Sequence, residues 1–233
     1  MKKVLSFVLA IALVLAVAVP AFATAAPGTT EIVDPARLAT GVTNKITGQT
    51  SVGTLKVTVP TTNTVILNPY GLSLKIKDGV IDNDNGTAST ATVITPMQYI
   101  KSESTSKVKV SVVATGTVGG NAKLSPTAID NTDTDNCPTT NSVCLALVWG
   151  AASGTEPTAA VAFPSDLDSD TKHVVLATRA SEKTEMETLA SGETAAQYMA
   201  FNLAGNAVKA PATPWTAKDT VGATLAFTFD LVA

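Results

Sequence analysis

The chain closes on "TVGATLAFTFDLVA", residues 220–233, and this stretch decides the fold. Val221, Ala223, Leu225, Phe227, Phe229 and Leu231 fall on one side of an extended backbone, with Thr224, Thr228 and Asp230 on the other. Successive side chains of a β-strand point to opposite faces, so this segment reads as a strand with one apolar and one polar face. The alternation recurs in "KVKVSV", where Val108, Val110 and Val112 share one face and Lys107, Lys109 and Ser111 the other. Further strand-like runs cover 54–60, 64–76, 91–101, 107–118, 143–151, 172–179 and 197–204. Turn-rich segments separate them, at 77–87 (KDGVIDNDNGT), 130–141 (DNTDTDNCPTTN) and 163–171 (FPSDLDSDT), where Gly, Pro, Asn and Asp cluster.

About eight to ten strands with no alternating helices describe a sandwich better than a parallel α/β sheet. The expected fold is all-β: a single elaborated antiparallel β-sandwich over residues 51–233. One stretch has helix signals. "SEKTEMETLASG", 181–192, offers a serine cap, acidic residues in its first turn and a glycine stop, and predicts one short helix.

The first residues, "MKKVLSFVLAIALVLAVAVPAFA", carry Lys2 and Lys3, an apolar run from Val4 to Val19, and the small-x-small triplet Ala21-Phe22-Ala23. That pattern is a secretory signal peptide, residues 1–23, with cleavage expected after Ala23. The run is shorter than the ~20 residues a spanning helix needs. Without Lys2 and Lys3, 14 basic side chains face 19 acidic ones, a net charge of −5. An acidic chain is a poor match for nucleic acid or an anionic membrane. The expected location is extracellular or at the cell surface, with no membrane partner after cleavage.

The two cysteines, Cys137 and Cys144, stand in "CPTTNSVC". Export and an even count predict a disulfide, worth ~2–3 kcal/mol for so short a loop and serving to pin it. Asp133 and Asp135 alternate with Asn131, and Asp166, Asp168 and Asp170 alternate in the next acidic turn. Such carboxylates are candidate calcium ligands, although an EF-hand wants Gly and Glu where Asn136 and Ser142, or Thr171 and Ala177, stand here. Solvated turns are the competing reading.

No catalytic constellation emerges. The lone histidine, His173, lies in a strand-like run, and no Gly-x-Ser-x-Gly elbow accompanies it. No enzyme and no cofactor is expected, calcium apart. Exposed aromatics would instead suit glycan stacking, with Trp215 and Tyr70 the leading candidates and Tyr99, Trp149 and Tyr198 behind them.

The stretches "LKVTVPTTNTVILNPYGLSL" (55–74), "TPMQYIKSESTSKVKVSVVATG" (95–116) and "PWTAKDTVGATLAFTFDLV" (214–232) resemble small secreted β-sandwich surface proteins of Gram-positive anaerobes. The layout is similar to that of WxL-type cell-surface proteins and of TasA- and camelysin-like fibre proteins. Ser102 stands where that layout has Asn, and Trp215-Thr216-Ala217 lacks the leucine of a Trp-x-Leu motif, so the resemblance implies no wall-binding role. It implies an extracellular structural or adhesive protein that polymerises. Residues 24–50 are the expected donor arm: Ile32, Val33, Leu38, Val42 and Ile46 suit an extended segment that adds to a neighbour's sheet edge. The same arm pairing within its own subunit is the plainer reading. The first expectation is thus a non-catalytic subunit of a filament or surface layer, its partner another copy of itself. The alternative is a monomeric extracellular glycan-binding or adhesive module, whose partner would be a glycan or the cell wall.

Overall fold

The computed structural model describes residues 29–32, 43–44, 53–61, 64–133, 137–176, 182–209 and 211–232. The fold is all-β. In chain order the strands are β1 (Thr29–Ile32), β2 (Thr43–Asn44), β3 (Val57–Pro60), β4 (Ile66–Leu67), β5 (Leu74–Lys77), β6 (Val80–Ile81), β7 (Thr87–Ser89) and β8 (Val93–Ile94). They continue as β9 (Gln98–Ser102), β10 (Lys107–Gly119), β11 (Lys123–Leu124), β12 (Ser142–Trp149), β13 (His173–Val175), β14 (Thr184–Leu189), β15 (Gln197–Ala207) and β16 (Thr220–Val232). Many are only two to four residues long, which is why the described strands outnumber the alternating runs visible in the sequence.

Two sheets form the sandwich. The larger runs β1-β3-β9-β15-β12-β11, with β13 also on β12; the smaller runs β14-β10-β16-β2. Pairing is antiparallel except for two short parallel contacts, β11 with β12 and β2 with β16. The long ladders set the frame: β10 and β16 stay in register from Lys107↔Val232 to Gly119↔Thr220, and β12 and β15 from Val143↔Ala207 to Trp149↔Phe201.

Alternation places the core. From the small sheet come Val108, Val110, Val112, Met186, Leu189, Phe227 and Phe229; from the large sheet Val57, Ile100, Leu145, Leu147, Trp149, Met199, Phe201 and Leu203. Val221, Ala223, Leu225 and Leu231 pack against this cluster, so the odd-numbered residues of the final strand do fill the sandwich. Phe201 and Phe227 meet edge to face across the two sheets, ring centroids 5.2 Å apart.

β12 is buried on both faces along its whole length. Its outer face, with Cys144, Ala146 and Val148, lies under the loops that bring in Ile129, Val161 and Phe163. Two asparagines of β15 fasten those loops as a neighbouring strand would. Asn202 accepts the Val161 N–H at 2.7 Å and donates to the Val161 carbonyl at 3.1 Å. Asn206 does the same for Ile129, at 3.0 and 2.8 Å. A buried loop must satisfy its backbone groups somewhere, and these amides do it.

The expected helix is absent from the described part of 181–192, where Thr184–Leu189 is a strand. Met186 and Leu189 both face the core although they stand three apart, a helical spacing. The cause is a bulge: Val110 faces Glu187 and the next residue, Ser111, faces Glu185, so Met186 is the extra residue. The run expected at 64–76 splits into β4 and β5 around a turn in which the Asn68 side chain bonds Leu72 N–H and C=O at 3.0 and 2.8 Å. The 77–87 segment holds a hairpin: Asp78 and Gly79, with φ of 51° and 74°, make the tight turn from β5 to β6 that Asp-Gly favours.

One end of the sandwich is tied by Asp219, just before β16. Its carboxylate accepts the Asn121 N–H at 2.6 Å, the Thr216 N–H at 2.7 Å, the Thr216 hydroxyl at 3.0 Å and the Asn141 amide at 3.3 Å. The backbone hydrogen bonds, that from Asn121 first, hold the carboxyl below its ordinary 3.8. A depressed pKa stabilises the fold above the ordinary carboxylate range and ceases to do so as pH falls through the folded value. Asp219→Asn should therefore melt roughly 5 °C lower than the parent at pH 7. In a melting series from pH 7 to 2 the gap should narrow below about pH 4; a constant gap would show that charge is not what Asp219 contributes.

Candidate functional site

A sheet edge exposes unpaired N–H and C=O groups, and proteins guard such edges with charge, irregularity or cover. In the larger sheet, β1 pairs with β3 from Thr29↔Pro60 to Ile32↔Val57. At the opposite side β11 and β13 share the margin of β12. The β14 edge of the smaller sheet is charged: Glu185 pairs with Lys109 at 2.5 Å, Glu187 with Lys172 at 3.5 Å, and Lys183, just before the strand, with Asp230 at 3.5 Å.

The flank of β16 away from β10 differs. Beyond it β2 supplies two residues, Thr43 against Thr228 and Asn44 against Phe229, in parallel. Among the described residues no strand lies beside Thr220–Phe227 on the side away from β10. Those eight positions, TVGATLAF, carry no charge and no proline. Thr220, Thr224 and Ala226 are exposed. At the far end of the ribbon Val118, opposite Val221, is 42% exposed, so apolar surface continues past the core. Neither charge nor proline guards the backbone along these eight residues. Alternation suggests a strand central in its sheet, and the topology places β16 between β10 and β2, of which Thr43 and Asn44 are the described residues.

Of the arm residues, Ile32 lies in β1, while Val33, Leu38, Val42 and Ile46 fall outside the described residues. The described parts of the arm pair in cis, one at each sheet.

The other candidates do not converge on a site. Asp166 accepts the Asp168 N–H at 2.9 Å and Asp170 the Lys172 N–H at 2.7 Å, local bonds that shape a turn. The Asp133 carbonyl accepts the Cys137 N–H at 2.9 Å, and Asp135 lies outside the described residues. Among the described residues no three His, Cys, Asp or Glu side chains gather as metal ligands. Trp215 is buried at 9% exposure with its indole N–H donated to the Val208 carbonyl at 2.9 Å, which corrects its place as a sugar-stacking candidate. Tyr70 is 53% exposed, and its hydroxyl accepts the Trp215 backbone N–H at 3.1 Å. Trp149 is core. Tyr99 and Tyr198 form a half-buried edge-to-face pair, centroids 5.5 Å apart, with the Tyr99 hydroxyl donated to Glu156 at 2.9 Å. His173 sits on β13 with Nδ1 enclosed and unpartnered among the described residues. Cys137 and Cys144 are both thiols, and no bond joins them.

Comparison with protein-family models, with curated proteins and with solved structures finds no match to this chain.

Proposed function

We propose that the protein is a secreted, non-catalytic structural subunit that assembles with copies of itself into an extracellular filament or surface layer by β-strand exchange. One observation carries this reading: the uncharged run Thr220–Phe227, which among the described residues has no strand on the side away from β10 and lies next to the two residues that the N-terminal arm adds. An added strand gains main-chain hydrogen bonds along the whole edge, and alternate side chains set its register. The arm of a second copy has the composition for this, being rich in Thr, Ala and Gly with apolar residues spaced along it. The resemblance to fibre-forming surface proteins points the same way.

The test is a chain beginning at residue 24, viewed by negative-stain electron microscopy with size-exclusion chromatography alongside, against one lacking residues 24–45. Filaments or sheets are expected from the first and a folded monomer from the second. Assembly that survives the deletion would remove the arm as donor.

A glycan-binding module is the second reading, favoured by the Tyr99–Tyr198 pair and exposed Tyr70. It predicts a monomer whose glycan-array signal falls at least tenfold in Tyr99→Ala, the loss of about one stacking contact. A flat array would end it.

A further inference from the structure

Cys144 sits on the outer face of β12, fully buried, directly opposite Asn206 of β15. The Asn206 amide clamps Ile129 from both sides, so the loop that follows Ile129 starts over this pair. Two residues on, Asn131 donates to the Ala207 carbonyl at 3.0 Å and accepts the Lys209 N–H at 2.8 Å, tying the loop to the end of β15. The loop comes back the same way: Cys137 is half-buried, its Sγ lies 4.0 Å from Asn131 Oδ1, and it packs against the cluster of Ile129, Cys144 and Val208. The Thr139 carbonyl then accepts the Ala212 N–H at 2.8 Å. Every one of these contacts is non-covalent, and together they bring the two thiols into one small apolar cluster with no sulfur–sulfur bond.

We infer that Cys137 and Cys144 form an oxidation site that works on the already folded chain, with Cys137 the attacking thiol and Cys144 the resolving one, so that oxidation latches the Cys137–Asn141 segment to β12. The roles follow from accessibility. Cys137 is half-buried and Cys144 fully enclosed, so a small-molecule disulfide such as oxidised glutathione meets Cys137 first. The Cys137 thiolate attacks one sulfur of the reagent, forming a mixed disulfide and expelling one reagent thiolate. The Cys144 thiolate then attacks the Cys137 sulfur, forming the internal bond and expelling the second reagent thiolate. Two protein thiols are oxidised by two electrons and one reagent disulfide is reduced to two thiols. Burial pushes the Cys144 thiol up to about 11, so the second step is the slow one near neutrality and quickens as pH rises. This inference is independent of the assembly reading.

The experiment treats the folded, fully reduced chain from residue 24 with oxidised glutathione and follows free thiols, intact mass and melting. The parent should lose both thiols, lose the mass of two hydrogens, release two glutathione molecules and melt roughly 5 °C higher. Cys144→Ala should stop at one glutathionyl group on Cys137. Cys137→Ala should stay unmodified while folded and react only in denaturant, and its half-buried position keeps the fold intact, as circular dichroism will verify. A parent that stops at the mixed disulfide, or a Cys137→Ala chain modified as fast as Cys144→Ala, would overturn the inference.

Discussion

A chain carrying Thr224→Lys and Ala226→Lys should fold as the parent does and fail to assemble. Both side chains are exposed on the face of β16 turned away from the core, so the substitutions leave Phe227, Phe229 and their packing untouched. Exposed changes of this kind shift stability by less than about 0.5 kcal/mol. Their effect on an incoming strand is large, because each new strand would desolvate two ammonium groups along an edge that is neutral in the parent. The expected result by electron microscopy is loss of polymer, with a melting temperature within a degree or two of the parent. The matched control is Thr188→Lys, an exposed outer-face position at the opposite edge of the same sheet, which already carries charge and should tolerate one more. Loss of assembly in both variants would point to general repulsion; loss in neither would place assembly elsewhere.

The largest stability effect belongs to Trp149. It is 2% exposed and ends β12 in the main core, and its indole Nε1–H donates to the Met186 carbonyl at 3.0 Å. Met186 is the bulged residue of β14, outside the ladder with β10, so the indole bridges the two sheets where one ladder is interrupted. Trp149→Ala should cost ~3–5 kcal/mol, combining lost burial with the cavity left behind. Trp149→Phe keeps most of the apolar contact and removes the donor, leaving a buried carbonyl unanswered, for ~1–2 kcal/mol. Denaturant titrations of the three chains separate the contributions. Equal losses in both variants would mean that the inter-sheet hydrogen bond, and not the ring volume, holds the sandwich at that point.

Much of the frame is legible in the alternation of apolar and polar residues. Val108, Val110 and Val112 face Leu231, Phe229 and Phe227 as two matched stripes, and each stripe stands out in the sequence by itself. Which stripe meets which does not, since more than a hundred residues separate them. The helix signals at 181–192 are real local preferences overridden by pairing: a single bulge turns a spacing of three into two inward residues of a strand. Burial of Trp215 is hidden because its partners, Tyr70 and Val208, come from distant or irregular backbone. The uncharged flank of β16 leaves a readable trace, namely the absence of any charge from Thr220 to Thr228, in contrast to the glutamates of β14. Which strands flank it is a matter of distant pairing, and only the topology shows that.

The β10–β16 ladder has a mechanical consequence. Thirteen rungs in unbroken register make a ribbon about 40 Å long joining residues far apart in sequence. Tension applied along its axis, in opposite directions on the two strands, loads those rungs together in shear, so none can part without its neighbours. The two-residue pairings of β4 with β8 and of β2 with β16 have no such sharing and yield singly. Resistance to force is set by the rate of unfolding and not by its equilibrium. A molecule stretched along this ribbon therefore sheds its short strands early and keeps its central pair until last, extending before it breaks.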